Sequence, residues 1–260
     1  MATAIFRNNR RLLVGILTLA AVGLIWWFVT TRGIVSPIRL PTPADTFAAF
    51  MQISTEGYGN ARLDVHILHS LKLVLIGFSV AVLLGVPLGL AMGSSTAVEA
   101  FVNPAFLFLR PIPPLAWIPL SIVWLGLGDS SKILVIFVGA FVPSVINSYT
   151  GARTMPQLQI EAAATLGIGR LAFIFEVLVP AALPMIFTGL RLSLQAAWTT
   201  LVAGELIGAT YGLGYILNQG AQDINIPMIV VAMVTVALLG ALMTTGLGLL
   251  ETRLMPWRKG

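Results

Sequence analysis

Long apolar stretches alternate with short polar ones along this chain, and the stretches have the length of membrane crossings. A transmembrane helix needs about 20 mainly apolar residues. Windows of that kind fall at 12 to 31, 69 to 92, 98 to 127, 132 to 152, 181 to 208 and 228 to 250. The third window holds "RPIPPLAWIP", with Pro111, Pro113, Pro114 and Pro119. That density of missing donors and ring clashes interrupts a helix. Each flanking piece spans only about 20 Å at 1.5 Å per residue, so 98 to 127 reads as one interrupted crossing. In the second window Gly85, Gly89 and Gly93 form a stripe at four-residue spacing, which lets helix backbones approach closely.

Between windows, "LPTPADTFAAFMQI" offers Thr42 as a cap, Pro43 at the first helical position and Asp45 to complete a capping box. Phe47, Phe50 and Met51 share one face, which predicts a short helix lying in the membrane interface. Between the fourth and fifth windows, Thr154 and Gln157 have capping-box spacing and Gly167 suits a helix end, giving helix, Gly-x-Gly turn, helix. The second of these helices is expected to run from Arg170 until Pro180 and Pro184 disturb it. Ala162, Ala163 and Ala164 make a small-sided ridge beside Glu161, a shape suited to a groove in another protein; the competing reading is a plain connector lying on the membrane.

Composition agrees with a membrane protein: of 260 residues, 57% are hydrophobic and 10% charged, against about a quarter charged in soluble domains. The whole chain, 1–260, reads as one transmembrane domain. Its net charge of +5 follows topology, not nucleic acid. Arg7, Arg10 and Arg11 lie in a tail at 1–11, and Arg253, Arg258 and Lys259 in a tail at 251–260, which places both termini on the cytoplasmic side. An outer loop then covers 32–68, a second outer loop 209–227, and a cytoplasmic loop 153–180. The first window, ending in Trp26, Trp27 and Phe28, reads as a retained span and not a cleaved signal. With no cysteine in the chain, disulfides and thiolate chemistry are excluded.

Arg110, Arg191 and Glu205 fall inside windows, where an ionisable group is costly and marks a functional candidate. Arg191 and Glu205 lie within about 40° on one helical face. Arg110, Arg191 and Lys72 could offset dehydration of an anionic solute; pairing of the arginines with Glu205 or backbone carbonyls is the structural alternative. "LGLGDSSK", ending at Lys132, lacks the glycine that a phosphate loop needs before its lysine, so Asp129 to Lys132 read as a polar outer turn. His66 and His69 have no third ligand near them and read as interfacial histidines, with no metal site. No catalytic frame for hydrolysis is present.

The stretch Glu161-Ala162-Ala163, three residues, Gly167, nine residues, Val177-x-Val179-Pro180 resembles the EAA loop of permease subunits of bacterial ABC importers. The family pattern has Ile and Leu where Val177 and Val179 stand. "RPIPPLAWIPLSIVWLGLGDSSKI" and "GLRLSLQAAWTTLVAGELIGATYGLGY" are similar to the taurine, alkanesulfonate and nitrate branch, and within it most to taurine and sulfonate permeases. The resemblance implies an all-α inner-membrane permease of about six spans, of the type I importer kind, whose EAA loop docks on a partner ATPase. It implies two ATPase subunits using ATP and Mg, an external substrate-binding protein and a second permease copy, with lipid around them and no cofactor on this chain. The implied cargo is a small anion such as taurine or another aliphatic sulfonate, with nitrate, nitrite or cyanate as the alternative. An ATP-independent secondary transporter or an intramembrane enzyme would leave the cytoplasmic loop unexplained.

Overall fold

The computed structural model describes the backbone of residues 2–258 and the side chains of residues 13–257. The basic clusters at Arg7, Arg10 and Arg11, and at Arg258 and Lys259, lie outside the described side chains. The described residues form helices joined by turns and loops, with one isolated bridge between Tyr58 and Ala61. It divides into two compact units, Met1–Leu63 with Ile216–Val234, and Asp64–Tyr215 with Thr235–Gly260.

The first unit contains α1 (Ala2–Thr31) and α2 (Pro43–Thr55). The capping box forms as the sequence predicts: the Asp45 amide donates to Thr42 Oγ1 at 3.1 Å, and the Thr42 amide donates to the Asp45 carboxylate at 3.3 Å. Phe47, Phe50 and Met51 are all exposed, while Ala49 and Ile53 on the other face are buried. That division suits a helix lying at an interface with its aromatic side in lipid.

The second unit is built on α3 (Leu63–Ser94) and α6 (Asp129–Arg153), which run parallel. The glycine stripe sets their contact. A methyl built at Gly77 would lie 2.6 Å from Ile136 Cγ2, at Gly85 2.9 Å from Ser144 Cβ, and at Gly93 2.5 Å from Ala152 Cβ. Both residue numbers rise together along the contact, so the helices point the same way. The chain must therefore return over the full height of the pair between Ser94 and Asp129. It does so through α4 (Thr96–Leu109), a tight turn at Pro114–Trp117 and α5 (Ile118–Leu125), the two halves bent by 84° at the proline cluster. The interrupted single crossing expected for 98 to 127 takes this form, because prolines 111, 113 and 114 supply no amide donors to continue α4.

Next come α7 (Gln157–Thr165) and a continuous helical span, Arg170–Glu205. That span comprises α8 (Arg170–Ala172), a π-helical turn at Phe173–Leu178 and α9 (Val179–Glu205). Here the structure corrects the expectation that Pro180 and Pro184 end the helix. Pro180 sits in the first turn of α9, directly after the wide π turn that takes up the broken hydrogen-bond ladder, and Pro184 is accommodated inside α9. The helix α9 packs antiparallel to α6: a methyl at Gly139 would meet Thr200 Cγ2 at 2.7 Å, one at Gly151 the Met185 Cβ at 2.9 Å, and one at Gly189 the Asn147 Cβ at 2.7 Å. Ser144 and Ser193 share a buried hydrogen bond of 2.8 Å within this contact. After α10 (Leu213–Gln222), α11 (Ile226–Leu254) follows; its C-terminal half runs antiparallel to α9, since Gly240 faces Trp198 and Gly248 faces Arg191.

Other boundaries also move. Asp129 to Lys132 form the first turn of α6 and not an outer turn, with Lys132 buried and Ser131 Oγ donating to the Gly128 carbonyl at 2.8 Å. The loop expected at 209–227 contains α10. The tail expected at 251–260 starts inside α11, which reaches Leu254. Among the described residues, five helices are long and apolar enough to cross a membrane, or six with the bent pair counted as one span.

Candidate functional site

Two groups of residues stand out, at opposite ends of the continuous helical span Arg170–Glu205. At its start lies the segment that resembles a coupling loop. The structure corrects its N-terminal cap: Pro156, not Thr154, occupies the cap of α7, and no side chain caps it. Thr154 instead donates through Oγ1 to the Thr150 carbonyl at 2.8 Å, as a residue still bonded to the end of α6. The C-terminal end forms as expected. Gly167, at φ +65°, donates to the Ala164 carbonyl at 3.1 Å, and Ile168 donates to the Ala163 carbonyl at 3.2 Å. This is the double closure that a left-handed residue permits and that glycine adopts without steric cost.

Around that frame, Glu161, Ala162 and Gly167 are exposed, while Ala163 is buried and holds α7 on its own protein. Val177, Val179 and Pro180 are half-buried at the junction of the π turn with α9, and Leu178 between them is fully buried. Leu158, Leu166, Leu171 and Phe175 are each at least 70% exposed. The segment therefore carries a sizeable apolar surface that this chain leaves uncovered. At the same end, Glu99 in the first turn of α4 accepts from Tyr149 Oη at 2.5 Å and from Arg153 Nη1 at 2.8 Å. The last turns of α6, which lead into α7, are thereby tied to the base of the proline-broken crossing.

Glu205 closes the other end of the span. It is 1% exposed, and its carboxylate accepts from Ser70 Oγ at 2.7 Å and from the Gly214 amide at 2.8 Å. Ser70 Oγ in turn accepts from the Leu213 amide at 2.9 Å, and His66 Nδ1 accepts from the Gly212 amide at 3.0 Å. Three successive backbone donors are thus satisfied by side chains from α3 and α9. His66 is fully buried and its ring stacks on Tyr215 at 5.8 Å between centroids. His69 lies between Asp129, 3.2 Å from Nε2, and Glu205, 3.9 Å from Nδ1. The two histidines expected at the interface are therefore part of a polar core, with His66 and Ser70 one helical turn apart.

The intramembrane arginines do not join Glu205. Arg191 and Glu205, expected on one face, differ sharply: the Arg191 side chain is 43% exposed and that of Glu205 is not exposed. Arg191 pairs with the Glu251 carboxylate on α11, and it borders a cavity of about 620 Å³ between α9 and α11 that also takes in Gln195, Trp198, Thr199 and Thr244. Arg110 is exposed at the end of α4, on the rim of a mostly apolar cavity of about 410 Å³ formed by the proline turn and α6, with Phe106, Trp117, Phe137 and Phe141 in its wall. Lys72 is exposed. The ionisable residues stand out in the sequence but the Glu205 clamp does not; its one signal is the glycines on each side of it in "GELIGATYGLG".

Residues 81–259 match the family described as the binding-protein-dependent transport system inner membrane component. The taurine transport system permease protein TauC of Escherichia coli (strain K12) is 37% identical over 96% of this chain and 91% of its own length. The putative aliphatic sulfonates transport permease protein SsuC of Bacillus subtilis (strain 168) is 35% identical over 94% of this chain and 87% of its own. In fold, the chain is similar to an inward-facing structure of the MetNI methionine ABC transporter, with a TM-score of 0.65 at 21% identity, covering 73% of this chain and 94% of that one. The all-helical fold, the spans and these matches show that the chain belongs to the binding-protein-dependent transport inner-membrane components, as the multi-pass permease subunit of an ABC importer whose ATP hydrolysis resides in a partner subunit.

Proposed function

We propose that this permease carries a small organic anion, taurine or another aliphatic sulfonate, across the inner membrane, and that residues 157–178 are where the partner ATPase drives it. The observation that carries the coupling role is the segment's build: Glu161 and Ala162 exposed on a helix closed by Gly167, Leu171 and Phe175 uncovered, and direct continuation into a span that reaches Glu205. Docking there sets the direction of the chain. The coupling end and both termini face the cytoplasm, and the Glu205 end faces outward, where a substrate-binding protein delivers cargo. Two copies of this chain and two ATPase subunits using ATP and Mg complete the transporter. The substrate class is supported by the relatives, whose names specify taurine and aliphatic sulfonates.

Arg110 and Arg191 are the candidates to meet an anion on its way. Each borders a cavity, and a guanidinium there offsets the dehydration of a sulfonate. Glu205, with its oxygens already taken by Ser70 and the Gly214 amide, is left out of that pair. The test is ATP-driven uptake by the reconstituted permease, ATPase and binding protein, with taurine, a longer alkanesulfonate and nitrate at equal concentration. Preference for a sulfonate supports the reading, and preference for nitrate replaces it with the inorganic-anion alternative. Alanine at both Arg110 and Arg191 lowers uptake at least tenfold with assembly intact; unchanged uptake removes the arginines from the path.

A further inference from the structure

The two ends of the span Arg170–Glu205 are joined by 36 residues of continuous helix, about 50 Å of rod at 1.5 Å per residue. At one end the rod receives the coupling segment. At the other it stops at the residue whose carboxylate holds the following turn. The clamp is built without slack. The amides of Gly212, Leu213 and Gly214 are taken in succession by His66, Ser70 and Glu205. A methyl at Gly212 would collide with the Glu205 carboxylate, and one at Gly214 would come within 2.6 Å of Glu205 Cβ. Gly212 has φ +122°, a backbone conformation L side chains rarely adopt. On the rod itself, Gly204 faces Lys132, which lies 3.8 Å from Asp129, so α6 braces the same point.

A charge so enclosed costs several kcal/mol unless its partners stay in place. Movement of α9 against α3 therefore either breaks the bonds of Glu205 to Ser70 and Gly214 or drags the turn Tyr211–Gly214 against its holders His66 and Ser70. We propose that Glu205 is a positioning residue through which movement of the coupling segment reaches the opposite end of the permease, resetting the turn between α9 and α10. The inference rests on the docking reading of residues 157–178. It assigns Glu205 a mechanical role and no contact with the solute.

The test is hydrogen exchange on the permease–ATPase complex in nanodiscs, with and without trapping by ATP and vanadate, so that no transported solute is needed. In the wild type, trapping changes exchange both at 157–178 and at 207–215. In Glu205→Gln, which keeps the shape but not the charge, and in Ser70→Ala, which removes one holder, the change at 207–215 falls at least threefold while that at 157–178 persists. A wild-type response at 207–215 in both variants overturns the proposal. So does loss of the response at both ends together, which marks a merely structural residue. Absence of any response at 157–178 in the wild type overturns the docking reading first, and the transmission with it, so the two failures are distinguishable.

Discussion

The coupling segment and the Glu205 clamp end the same helical rod, yet their residues are held by opposite means. At the clamp every polar atom of Glu205 and three successive amides are satisfied inside the protein, and the residues are buried. At the coupling segment only Ala163 and Leu178 are buried, while Leu158, Leu166, Leu171 and Phe175 face outward. The difference separates residues held by the fold from residues that the fold leaves uncovered. A substitution at the clamp should act on stability and on the neighbouring turn together. A substitution on the coupling surface should leave the isolated permease standing and disable the complex.

The comparison breaks first at Gly212. Gly212→Ala puts a methyl into the Glu205 carboxylate at a positive φ, and unpairing a buried charge costs about 3–5 kcal/mol. A large fall in thermal unfolding temperature in detergent is the expected result, and a fall of a degree or less would show that the clamp yields freely. Next comes the glycine stripe. Gly89→Leu drives a side chain into the Val145 carbonyl and Ser148 of α6, an overpacking expected to cost about 1–3 kcal/mol, read in the same melt. Smaller in its effect on global melting is Gly167→Pro. A ring that fixes φ near −65° cannot take the +65° of this residue, so the end of α7 is remodelled at a cost of about 1–3 kcal/mol, confined to an exposed turn. Insertion and global melting should hold while ATP-driven uptake fails. The smallest stability effect belongs to Phe175→Ser, an exposed site expected to shift stability by at most about 0.5 kcal/mol. Co-purification with the ATPase should nevertheless drop, and retention of the ATPase at wild-type level would take Phe175 out of the docking surface.

The two ends also differ in how much of them could be read from the chain. The coupling segment was visible because its signals are local: Glu161, Gly167 and Pro180 stand at fixed spacing along 20 residues, and Gly167 closes α7 as a glycine at that position should. The glycine stripe was equally legible, since Gly85, Gly89 and Gly93 lie on one face of one helix and each meets α6. The clamp was not legible in the same way. Its parts come from residues 66–70, 205 and 212–214, and helical periodicity relates Glu205 only to residues of its own helix, such as Arg191. The real partners are an α3 hydroxyl and a backbone amide, which no wheel diagram contains. Pro180 misled for a related reason: a proline predicts a break in an α ladder, and the π turn at Phe173–Leu178 removes the conflict by widening the ladder just before it. Thr154 and Gln157 had the right spacing for a cap but the wrong side chain in front of the helix, because α6 keeps Thr154 bonded to its own last turn.

The central claim is that the segment around Glu161 is the seat of the ATPase, and one measurement tests it most directly. Glu161→Arg reverses an exposed charge, so the protein should insert and melt as the wild type does. Binding of the purified ATPase to this variant in nanodiscs should weaken at least tenfold, with ATP-driven uptake lost in proportion. ATPase binding and uptake at wild-type level would contradict the claim and return the segment to a connector between two spans.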